Sequence, residues 1–365
     1  MKSDSNLKLW RRFQVNSRGV LGSSLPTIDS SYKRVALIVA ISSFFKKQTR
    51  LFSYQQSQLT NSLKKRINQT LLKERVSLNE MLIVQGGQSA LFNLFFLMQA
   101  RQPFLIERYN YVGLFHLFEV FNIDYVVVPN LYQLKPSQIE NLIKEHQPGL
   151  FYLQPDNANP TGMSLNLSQR KKLAELSDKY KFKIIEDQAY RYLTLKQDLL
   201  PSLYELAPVN TITVGSLSKI FYPALRIGWI TANPDLIKKI DFFQEVRNLS
   251  HSNLLLDMAL VLLNRQQLLA KHIGLYQRRM ARTTAFFANC SNSEVVGQPA
   301  GGYFIWLKMV NLDINQRKQL AQLLPHSKIF DYEPGGEVEY YRLGLGQIND
   351  DKLEFSLKEV RSIIG

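Results

Sequence analysis

The stretch Thr211-Ile-Thr-Val-Gly-Ser-Leu-Ser-Lys219 decides the fold class, because it joins an apolar strand directly to a group of polar side chains. The segment Thr211–Val214 is rich in β-branched residues, which favours a buried strand. Two serines and Lys219 follow at once, and Arg226 comes seven residues after the lysine. Polar groups that follow a buried strand are typical of the ligand site at the carboxyl edge of a parallel sheet.

Short apolar strands alternate with amphipathic helices from about residue 80 to residue 230. The predicted strands are Met81–Val84, Phe104–Ile106, Tyr125–Val128, Leu150–Leu153, Phe182–Ile185, Thr211–Val214 and Ile227–Ile230. The predicted helices are Gln88–Ala100, Tyr111–Phe121, Pro136–His146 and Ser168–Tyr180, the last with Ser168 as its N-cap. Strands that are apolar on both faces and separated by helices predict an α/β fold with a mostly parallel sheet covered by helices.

The pattern changes after about residue 235. A long helical stretch, Pro234–Phe287, is interrupted near residues 248–253. It is followed by the predicted elements Tyr303–Leu307 (strand), Asn315–Leu324 (helix), Tyr340–Leu345 (strand) and Asp350–Ile364 (helix). We therefore predict a large domain over residues 51–235, a smaller α+β domain over residues 236–365, and an N-terminal segment, residues 1–50, that packs with the small domain.

The amino-acid composition indicates a folded globular protein and excludes several kinds of site. The chain has 365 residues, of which 45% are hydrophobic and 21% charged, as in a folded globular protein. A single cysteine, Cys290, excludes an intramolecular disulfide and a cysteine metal cluster, and we expect no metal site. The net charge of +15 is compatible with anionic ligands. The basic residues are scattered along the sequence, and no helix or strand suited to contact nucleic-acid bases is evident. We therefore expect no nucleic-acid partner.

Nothing in the sequence predicts membrane insertion or export. The segment Met1–Asn16 is polar and basic, unlike a secretory signal. The longest apolar run, Val35–Ile41, is about half the length that a bilayer requires. We interpret this run as a buried helix, and the alternative is a helix at a membrane surface, supported by the nearby Lys46, Lys47 and Arg50. We expect a cytoplasmic protein.

Lys219 and its neighbours carry the clearest chemistry. Ser216 and Ser218 can hydrogen-bond a phosphate, and Arg226 can pair with one through two parallel hydrogen bonds. Burial and neighbouring cations lower the pKa of a lysine, which makes its amine a better nucleophile. A nucleophilic lysine beside a phosphate site is what pyridoxal 5'-phosphate (PLP) requires, whereas a lone lysine in this position would more simply be a solvated loop residue.

Two further strands end in polar residues. Asp187 follows Phe182–Ile185 and can pair with the pyridine nitrogen of PLP, with Tyr190 three residues later in reach of the ring hydroxyl. The adjacent Glu186 should face the opposite side of the sheet. After Leu150–Leu153, the turn around Pro160 leaves the amide of Asn159 free to contact a ring oxygen, although these residues could also form only a turn.

The first strand leads into a glycine-rich helix start. Gly86, Gly87 and Gln88 follow Met81–Val84, so that backbone N–H groups and the helix dipole can bind an anion. We expect this turn to complete the phosphate site. Tyr111, at the start of the next predicted helix, can stack on a flat ring.

Together these motifs resemble those of fold-type I PLP enzymes of the class I/II aminotransferase family. The resemblance runs from about Tyr54 to Arg342. Its motifs, in order, are Gly86-Gly-Gln88, Glu107–Gly113, Asn159-Pro-Thr-Gly162, Asp187-x-x-Tyr190, Ser216-x-Ser-Lys219 with Arg226, Ala300–Phe304 with Trp306, and Tyr341–Gly344. The fold implied is a PLP-transferase-like large domain with a smaller α+β domain.

The resemblance implies a role for each matching residue. Lys219 would form the internal aldimine and shuttle the proton, and Asp187 would pair with the pyridinium. The remaining cofactor contacts implied are Asn159 and Tyr190 at the ring oxygen, Tyr111 on the ring face, and Gly87, Gln88, Ser216, Ser218 and Arg226 at the phosphate. Arg342, and with it Asn159, would bind the substrate, Arg342 through its α-carboxylate. Tyr54 would reach the phosphate in the partner subunit, which implies a homodimer with shared active sites, although the glycine usual shortly after this tyrosine is absent.

The short interval from Lys219 to Arg226, with Pro223, is most similar to aminoadipate/kynurenine-type aminotransferases and MocR-type regulators. Only about 50 residues precede Tyr54, so we expect no winged-helix domain of the regulator type. The implied function is transfer of an amino group from an L-α-amino acid to a 2-oxo acid. The alternatives are another PLP reaction on the same scaffold (lyase, decarboxylase, racemase or oxidase) and a PLP-binding regulator without turnover. The stretch Gln154–Ala158 is more polar than is usual in the family.

Overall fold

The computed structural model describes residues 3–16, 20–26, 57–73, 75–194, 199–333 and 338–365, together with positions 34, 37, 38, 41, 42 and 54. The strands, in chain order, are β1 Met81–Val84, β2 Phe104–Glu107, β3 Tyr125–Val128, β4 Leu150–Leu153, β5 Lys183–Asp187, β6 Thr211–Ser216, β7 Gly228–Thr231, β8 Ser293–Val295, β9 Phe304–Met309 and β10 Glu339–Gly344. The helices are α1 Ser3–Asn16, α2 Ser57–Ile67, α3 Gly87–Met98, α4 Val112–Val120, α5 Pro136–His146, α6 Leu167–Tyr180, α7 Leu203–Leu206, α8 Pro234–Asn248, α9 Asn253–Leu263, α10 Gln266–Phe287, α11 Ile314–Leu323 and α12 Asp350–Ile364.

Strands β1 to β7 form one sheet in the order β1-β7-β6-β5-β4-β2-β3. The five strands β3, β2, β4, β5 and β6 are parallel, and β7 is antiparallel to both of its neighbours. Helices α3 and α4 cover one face, and α5 and α6 cover the other. The prediction of a mostly parallel sheet covered by helices is therefore confirmed.

The parallel register places the polar residues after β4, β5 and β6 along one edge. Leu153 lies beside Glu186, and Asp187 lies beside Val214. Gln154, Asp187 and Ser216 therefore leave the sheet at nearly the same level. Gly215 is required in β6 because a Cβ at this position would overlap the ring of Trp229 on the neighbouring strand β7.

Strands β8, β9 and β10 form a second, antiparallel sheet. It packs against helices α10, α11 and α12 in a core of its own, which contains Tyr276, Leu307 and Leu343. This arrangement matches the predicted smaller α+β unit. Strand β10 carries Arg342, so the small unit contributes directly to the edge of the large sheet.

Several predicted details are wrong. Asn166, not Ser168, caps α6, because its side-chain oxygen accepts the backbone N–H of Gln169 at 2.9 Å. The long C-terminal helical stretch has a second interruption at residues 264–265. Strand β8 and helix α1 were not predicted, and α1 contacts α4 of the large unit as well as α11 of the small unit.

The apolar run Val35–Ile41 lies partly outside the described residues. Its described positions Leu37, Ile38 and Ile41 are helical and exposed, so the prediction that this run is buried is wrong at these positions. In the described part of the chain, no helix combines the length and apolar character needed to cross a bilayer. Trp229 and Trp306 are buried in the cores.

Candidate active site

The side chains predicted to bind a cofactor meet at the carboxyl edge of the large sheet. Lys219 follows β6, Asp187 ends β5, and Asn159 lies in the turn after β4. Arg342 reaches the same place from β10 of the small unit, where its Nη1 atom donates to Asn159 Oδ1 at 2.8 Å. The fold thus assembles, between its two units, four residues that are far apart in the sequence.

The amine of Lys219 has a strongly altered environment. Its Nζ donates to the backbone carbonyl of Ser24 at 3.1 Å and lies 5.9 Å from the centre of the Tyr190 ring. Burial lowers the pKa of Lys219 to about 8, and the cations Arg342 and Arg226 act in the same direction against the attraction of Asp187. A substantial fraction of the amine is therefore neutral at mildly alkaline pH, as a nucleophile or proton acceptor requires.

Asp187 is held by three hydrogen-bond donors. Its Oδ2 atom accepts from the Tyr152 hydroxyl at 2.7 Å and from Gln154 Nε2 at 2.9 Å, and its Oδ1 atom accepts from the backbone N–H of Ala189 at 3.0 Å. Burial raises the pKa of Asp187, and these hydrogen bonds oppose that increase. Glu186 points to the other face of β5, where its carboxylate accepts the backbone N–H of Tyr204, as the alternation of strand residues predicts.

Arg342 is a buried cation that has no carboxylate partner among the described residues. Its Nη2 atom donates to the Gly22 carbonyl at 2.9 Å, and its Nε atom is buried with no partner. No carboxylate of the described residues forms an ion pair with it. Burial lowers the pKa of Arg342 to about 10, and the rings of Trp10, Phe304 and Phe330 surround its guanidinium group. An anion that binds here would neutralise a charge that the fold leaves uncompensated.

The predicted phosphate residues come from several elements and meet around the turn that precedes α3. Gly86 has φ = 82°, and a Cβ at this position would lie 3.3 Å from the guanidinium group of Arg226. Ser216 Oγ accepts the backbone N–H of Ser218 at 3.2 Å, whereas Ser218 Oγ is buried without a partner. Gly87, at the start of α3, faces the Cβ of Ser216. These groups offer donors to an anion at a helix N-terminus.

Gln88 and Tyr111 flank this turn. Gln88 Nε2 donates to the Gly113 carbonyl at 3.2 Å, and its Oε1 atom has no partner. Tyr111 is the N-cap residue of α4, and burial raises the pKa of its hydroxyl, with Asp187 and Arg226 as the nearby charges. Tyr190 is buried against Tyr303 and Phe304, with ring centres 5.6 and 5.3 Å away. Both tyrosines therefore border the space between Lys219 and Asp187.

Tyr54 does not join this cluster within the same chain. Its side chain is 76% exposed, and its carbonyl accepts from Asn253 Nδ2 at 3.4 Å near the start of α9. It borders a cavity of about 420 Å³ with Leu249 and His251. The contact between Tyr54 and the phosphate site of a partner subunit therefore stays a prediction.

Sequence reasoning did not identify the contribution of residues 20–26. The carbonyls of Gly22 and Ser24 accept from Arg342 and Lys219, and Ser24 also accepts from the Tyr303 hydroxyl at 3.0 Å. This segment can approach β10 closely because Cβ atoms at Gly344 and Gly346 would overlap the carbonyls of Ser23 and Leu25. Gly344 and Gly346 can be identified in the sequence, but the sequence does not indicate that residues 20–26 pack against them.

The site satisfies the chemical requirements of PLP. Among the described residues, Ser218 Oγ is a buried hydroxyl without a partner beside the helix N-terminus where a phosphate would lie. Asp187 supplies a buried carboxylate, and Lys219 an amine with a lowered pKa. Buried polar atoms normally have partners, so orphaned atoms of this kind indicate a ligand that completes the site.

Comparison with known proteins agrees with this geometry. The sequence profile described as "Aminotransferase class I and II" matches residues 21–330. The chain belongs to the class I and II aminotransferase family. This aminotransferase-family chain is 29% identical over 241 residues to a 2-aminoadipate transaminase from Thermus thermophilus, a match that covers 63% of this chain and 60% of that enzyme.

A second relative has a different role. The transcriptional regulator NorG of Staphylococcus aureus is 26% identical over 269 residues, which is 70% of this chain and 59% of the regulator. This aminotransferase-family chain therefore matches about three fifths of the length of both relatives.

Solved structures show the same fold. An α-aminoadipate aminotransferase, LysN, from Thermus thermophilus, complexed with N-(5'-phosphopyridoxyl)-L-leucine, superposes with a TM-score of 0.86 at 22% identity, over 100% of this chain and 96% of that one. A kynurenine aminotransferase from Pyrococcus horikoshii gives a TM-score of 0.83 at 20% identity, over 98% and 93%. The predicted fold-type I architecture is confirmed.

Proposed function

We propose that this protein is a PLP-dependent aminotransferase that transfers the amino group of an L-α-amino acid to a 2-oxo acid. One observation carries the proposal: the buried, unpaired cation Arg342 lies in the same site as Lys219, whose amine has a lowered pKa. An amino acid offers the complementary groups, a carboxylate for the cation and an amine and Cα–H bond for the lysine. Family membership supports the same reaction.

The residues that would hold PLP follow from the site. Gly87, Ser216, Ser218 and Arg226 would bind its phosphate, with Gln88 beside them, and Asp187 would face its ring nitrogen. Tyr111 would cover the ring, and Asn159 and Tyr190 would contact the ring oxygen. When bound, PLP supplies an electron sink that makes the Cα–H bond of an attached amino acid acidic.

Arg342 and Asn159 would position the substrate. Arg342 Nη2 would release the Gly22 carbonyl and bind the α-carboxylate, while Nη1 remains bonded to Asn159 Oδ1. A bidentate arginine–carboxylate contact fixes both distance and orientation, so the Cα–H bond would be held toward Lys219.

Lys219 would move the proton. With its pKa lowered to about 8, its Nζ atom would take the proton from the substrate Cα and deliver it to the cofactor carbon that is bonded to the same nitrogen. The Tyr190, Phe304 and Trp10 rings and the segment carrying Ser24 would exclude water while this occurs. Exclusion of water favours return of the proton over loss of the substrate by side reactions.

We further propose a homodimer with shared active sites. Helix α8 exposes Phe242, Val246 and, just after its end, Leu249, each 70% accessible in one chain. Tyr54 borders the same cavity as Leu249. A second subunit that packs on this surface would therefore place Tyr54 of the first subunit near the phosphate site of the second. An exposed apolar patch of this kind is typical of a subunit interface. We also propose a cytoplasmic location and the division into residues 1–50, 51–235 and 236–365.

The test is an absorbance spectrum of the purified protein with PLP, before and after addition of L-amino acids. The panel includes 2-aminoadipate and kynurenine, the compounds in the names of related proteins. A visible band that is absent in Lys219→Ala, is lost with one amino acid and returns with a 2-oxo acid supports the proposal and identifies the donor. A band that no amino acid discharges favours the regulator alternative, and one that is discharged but not restored by a 2-oxo acid favours another PLP reaction. No band at all contradicts the cofactor site.

A further inference from the structure

Gln154, the first residue after β4, connects two parts of the site and has no role in the function proposed above. Its side chain is buried. Its Nε2 atom donates to Asp187 Oδ2 at 2.9 Å, and its Oε1 atom accepts the backbone N–H of Asn159 at 2.8 Å. One side chain therefore contacts both the carboxylate predicted to face the cofactor and the residue that binds Arg342.

The orientation of the Gln154 amide is determined by its partners. The backbone N–H of Asn159 can only donate, so it must face the carbonyl oxygen of the amide. The NH₂ group is then directed at Asp187 Oδ2, and a donor placed there favours an ionised carboxylate. Without such donors, burial would favour the protonated acid in this position.

The hydrogen bonds also select which carboxylate oxygen is available. Oδ2 accepts from both Tyr152 and Gln154, whereas among the described residues Oδ1 accepts only the backbone N–H of Ala189. A carboxylate oxygen can accept more than one hydrogen bond, so Oδ1 keeps the capacity for a further donor. The Gln154 contact therefore helps to occupy Oδ2 and leaves Oδ1 available to a donor from the cofactor.

We propose that Gln154 is a positioning residue that keeps Asp187 ionised and directs its Oδ1 atom to the ring nitrogen of the cofactor. The inference rests on the proposed function, because it requires PLP to bind with its ring nitrogen at Asp187. An ionised carboxylate favours the protonated ring, and a protonated ring is the better electron sink. Gln154 thus acts on the cofactor through Asp187 and contacts no reacting atom.

The experiment uses the protein loaded with PLP labelled with ¹⁵N in the ring, because the ring-nitrogen chemical shift reports directly whether this nitrogen is protonated. Gln154→Met keeps the length of the side chain and removes its hydrogen bonds to Asp187 and Asn159, together with a longer one to the Tyr152 hydroxyl at 3.4 Å. We expect the ¹⁵N signal to move from the pyridinium toward the neutral pyridine position, because an Asp187 with one donor fewer takes the proton more readily. We also expect PLP to bind about tenfold more weakly, as for loss of a hydrogen bond to a charged group.

Gln169→Met is the matched control. Gln169 is also a buried glutamine of the large unit, but its Nε2 atom binds the carbonyls of Leu131, Tyr132 and Leu134, away from Asp187. Its substitution should lower the melting temperature and leave the ¹⁵N signal unchanged. Gln154→Leu provides a second variant if Gln154→Met does not fold.

The outcomes separate this inference from the proposed function. A wild-type protein that binds no PLP contradicts the proposed function itself. A wild type with a pyridinium signal and a Gln154→Met variant with the same signal and affinity overturn the role of Gln154 alone. An equal shift in Gln154→Met and Gln169→Met would also overturn it, since the effect would then follow from lost stability.

Discussion

Arg342 Nη1 donates to Asn159 Oδ1 at 2.8 Å, and this hydrogen bond joins β10 of the small unit to the turn after β4 of the large unit. The bond fixes the guanidinium group at the edge of the sheet that also carries Lys219 and Asp187. A carboxylate bound by Arg342 would therefore be oriented by residues of both units. The same side chain would therefore both join the two units and bind the carboxylate of the substrate.

Loss of Arg342 should affect substrate binding far more than cofactor binding. We expect Arg342→Leu to raise the KM for the amino donor about thirtyfold or more, since truncating one partner of a buried charge pair typically costs about 2–5 kcal/mol. The visible absorbance band with PLP should remain. Steady-state kinetics and PLP titration measure the two effects separately.

Arg282→Leu is the control for that experiment. Arg282 is an exposed arginine of α10, 3.6 Å from Glu354 and outside the site. Its loss should leave both KM and PLP affinity unchanged. An Arg342→Leu variant with an unaltered KM would show that the substrate carboxylate binds elsewhere.

Ser218 and Ser216 should respond in opposite ways when they are replaced by alanine. Ser218 Oγ is buried without a partner, so Ser218→Ala should leave the PLP-free protein as stable as wild type or raise its melting temperature. Ser216 Oγ accepts the N–H of Ser218, so Ser216→Ala should destabilise the PLP-free protein by about 1 kcal/mol.

Both serine variants should bind PLP more weakly. Thermal unfolding without and with PLP gives the two quantities for each variant. If Ser218→Ala kept the full stabilisation that PLP confers on wild type, the serine would not contact the phosphate.

The site residues at the carboxyl edge of the large sheet were easier to predict from the sequence than the segments that pack against them. Strand ends at Asp187 and Lys219 were recognisable because apolar runs stop abruptly at polar residues, and the parallel register then brings these ends together. The helix bounds Pro136–His146 and Asp350–Ile364 were also predicted correctly, since proline and acidic residues mark their first turns.

Contacts between distant segments could not be predicted in this way. Ser24 and Lys219 are 195 positions apart, and their hydrogen bond uses a backbone carbonyl that any residue supplies. The exposed positions Leu37, Ile38 and Ile41 were predicted to be buried because apolarity alone does not show whether the partner surface lies in the same chain. Gln154 was noticed only as unusually polar, because its two partners are defined by the fold of the turn.

The lowered pKa of Lys219 predicts a pH dependence of stability for the PLP-free protein. An unfolded lysine titrates near its ordinary pKa of 10.5, whereas folded Lys219 titrates at about 8. Between these values the unfolded state binds more protons, so stability should rise with pH from about 8 to about 10.5. Below pH 8 the contribution of Lys219 to the free energy of unfolding no longer changes with pH, and it lowers the stability of the folded protein.

Lys219→Met should remove that contribution. We expect the variant without PLP to be more stable than wild type at pH 7, with a smaller rise in melting temperature between pH 8 and 10. Lys238→Met, at an exposed lysine of α8, serves as the control and should keep the wild-type profile. Identical profiles for Lys219→Met and wild type would show that the Lys219 amine is not buried in the protein in solution.

The exposed face of α8 leads to a prediction about assembly. We expect Val246→Asp to convert a dimer to a monomer, because a charge at the centre of an apolar interface must be desolvated without a partner. Phe355→Asp, on the equally exposed side of α12 in the small unit, should leave the dimer intact. Light scattering coupled to size exclusion measures the mass of each variant.

Val246→Asp and a further variant, Tyr54→Phe, test whether the active sites are shared. If Tyr54 binds the partner's phosphate, monomeric Val246→Asp should bind PLP more weakly, and Tyr54→Phe should weaken PLP binding while the protein stays dimeric. Tyr54 is exposed in its own chain and its carbonyl binds Asn253 of α9, so an effect of Tyr54→Phe on cofactor affinity in an intact dimer would support a contact with the second subunit. A monomeric variant with wild-type PLP affinity would assign the whole cofactor site to one chain.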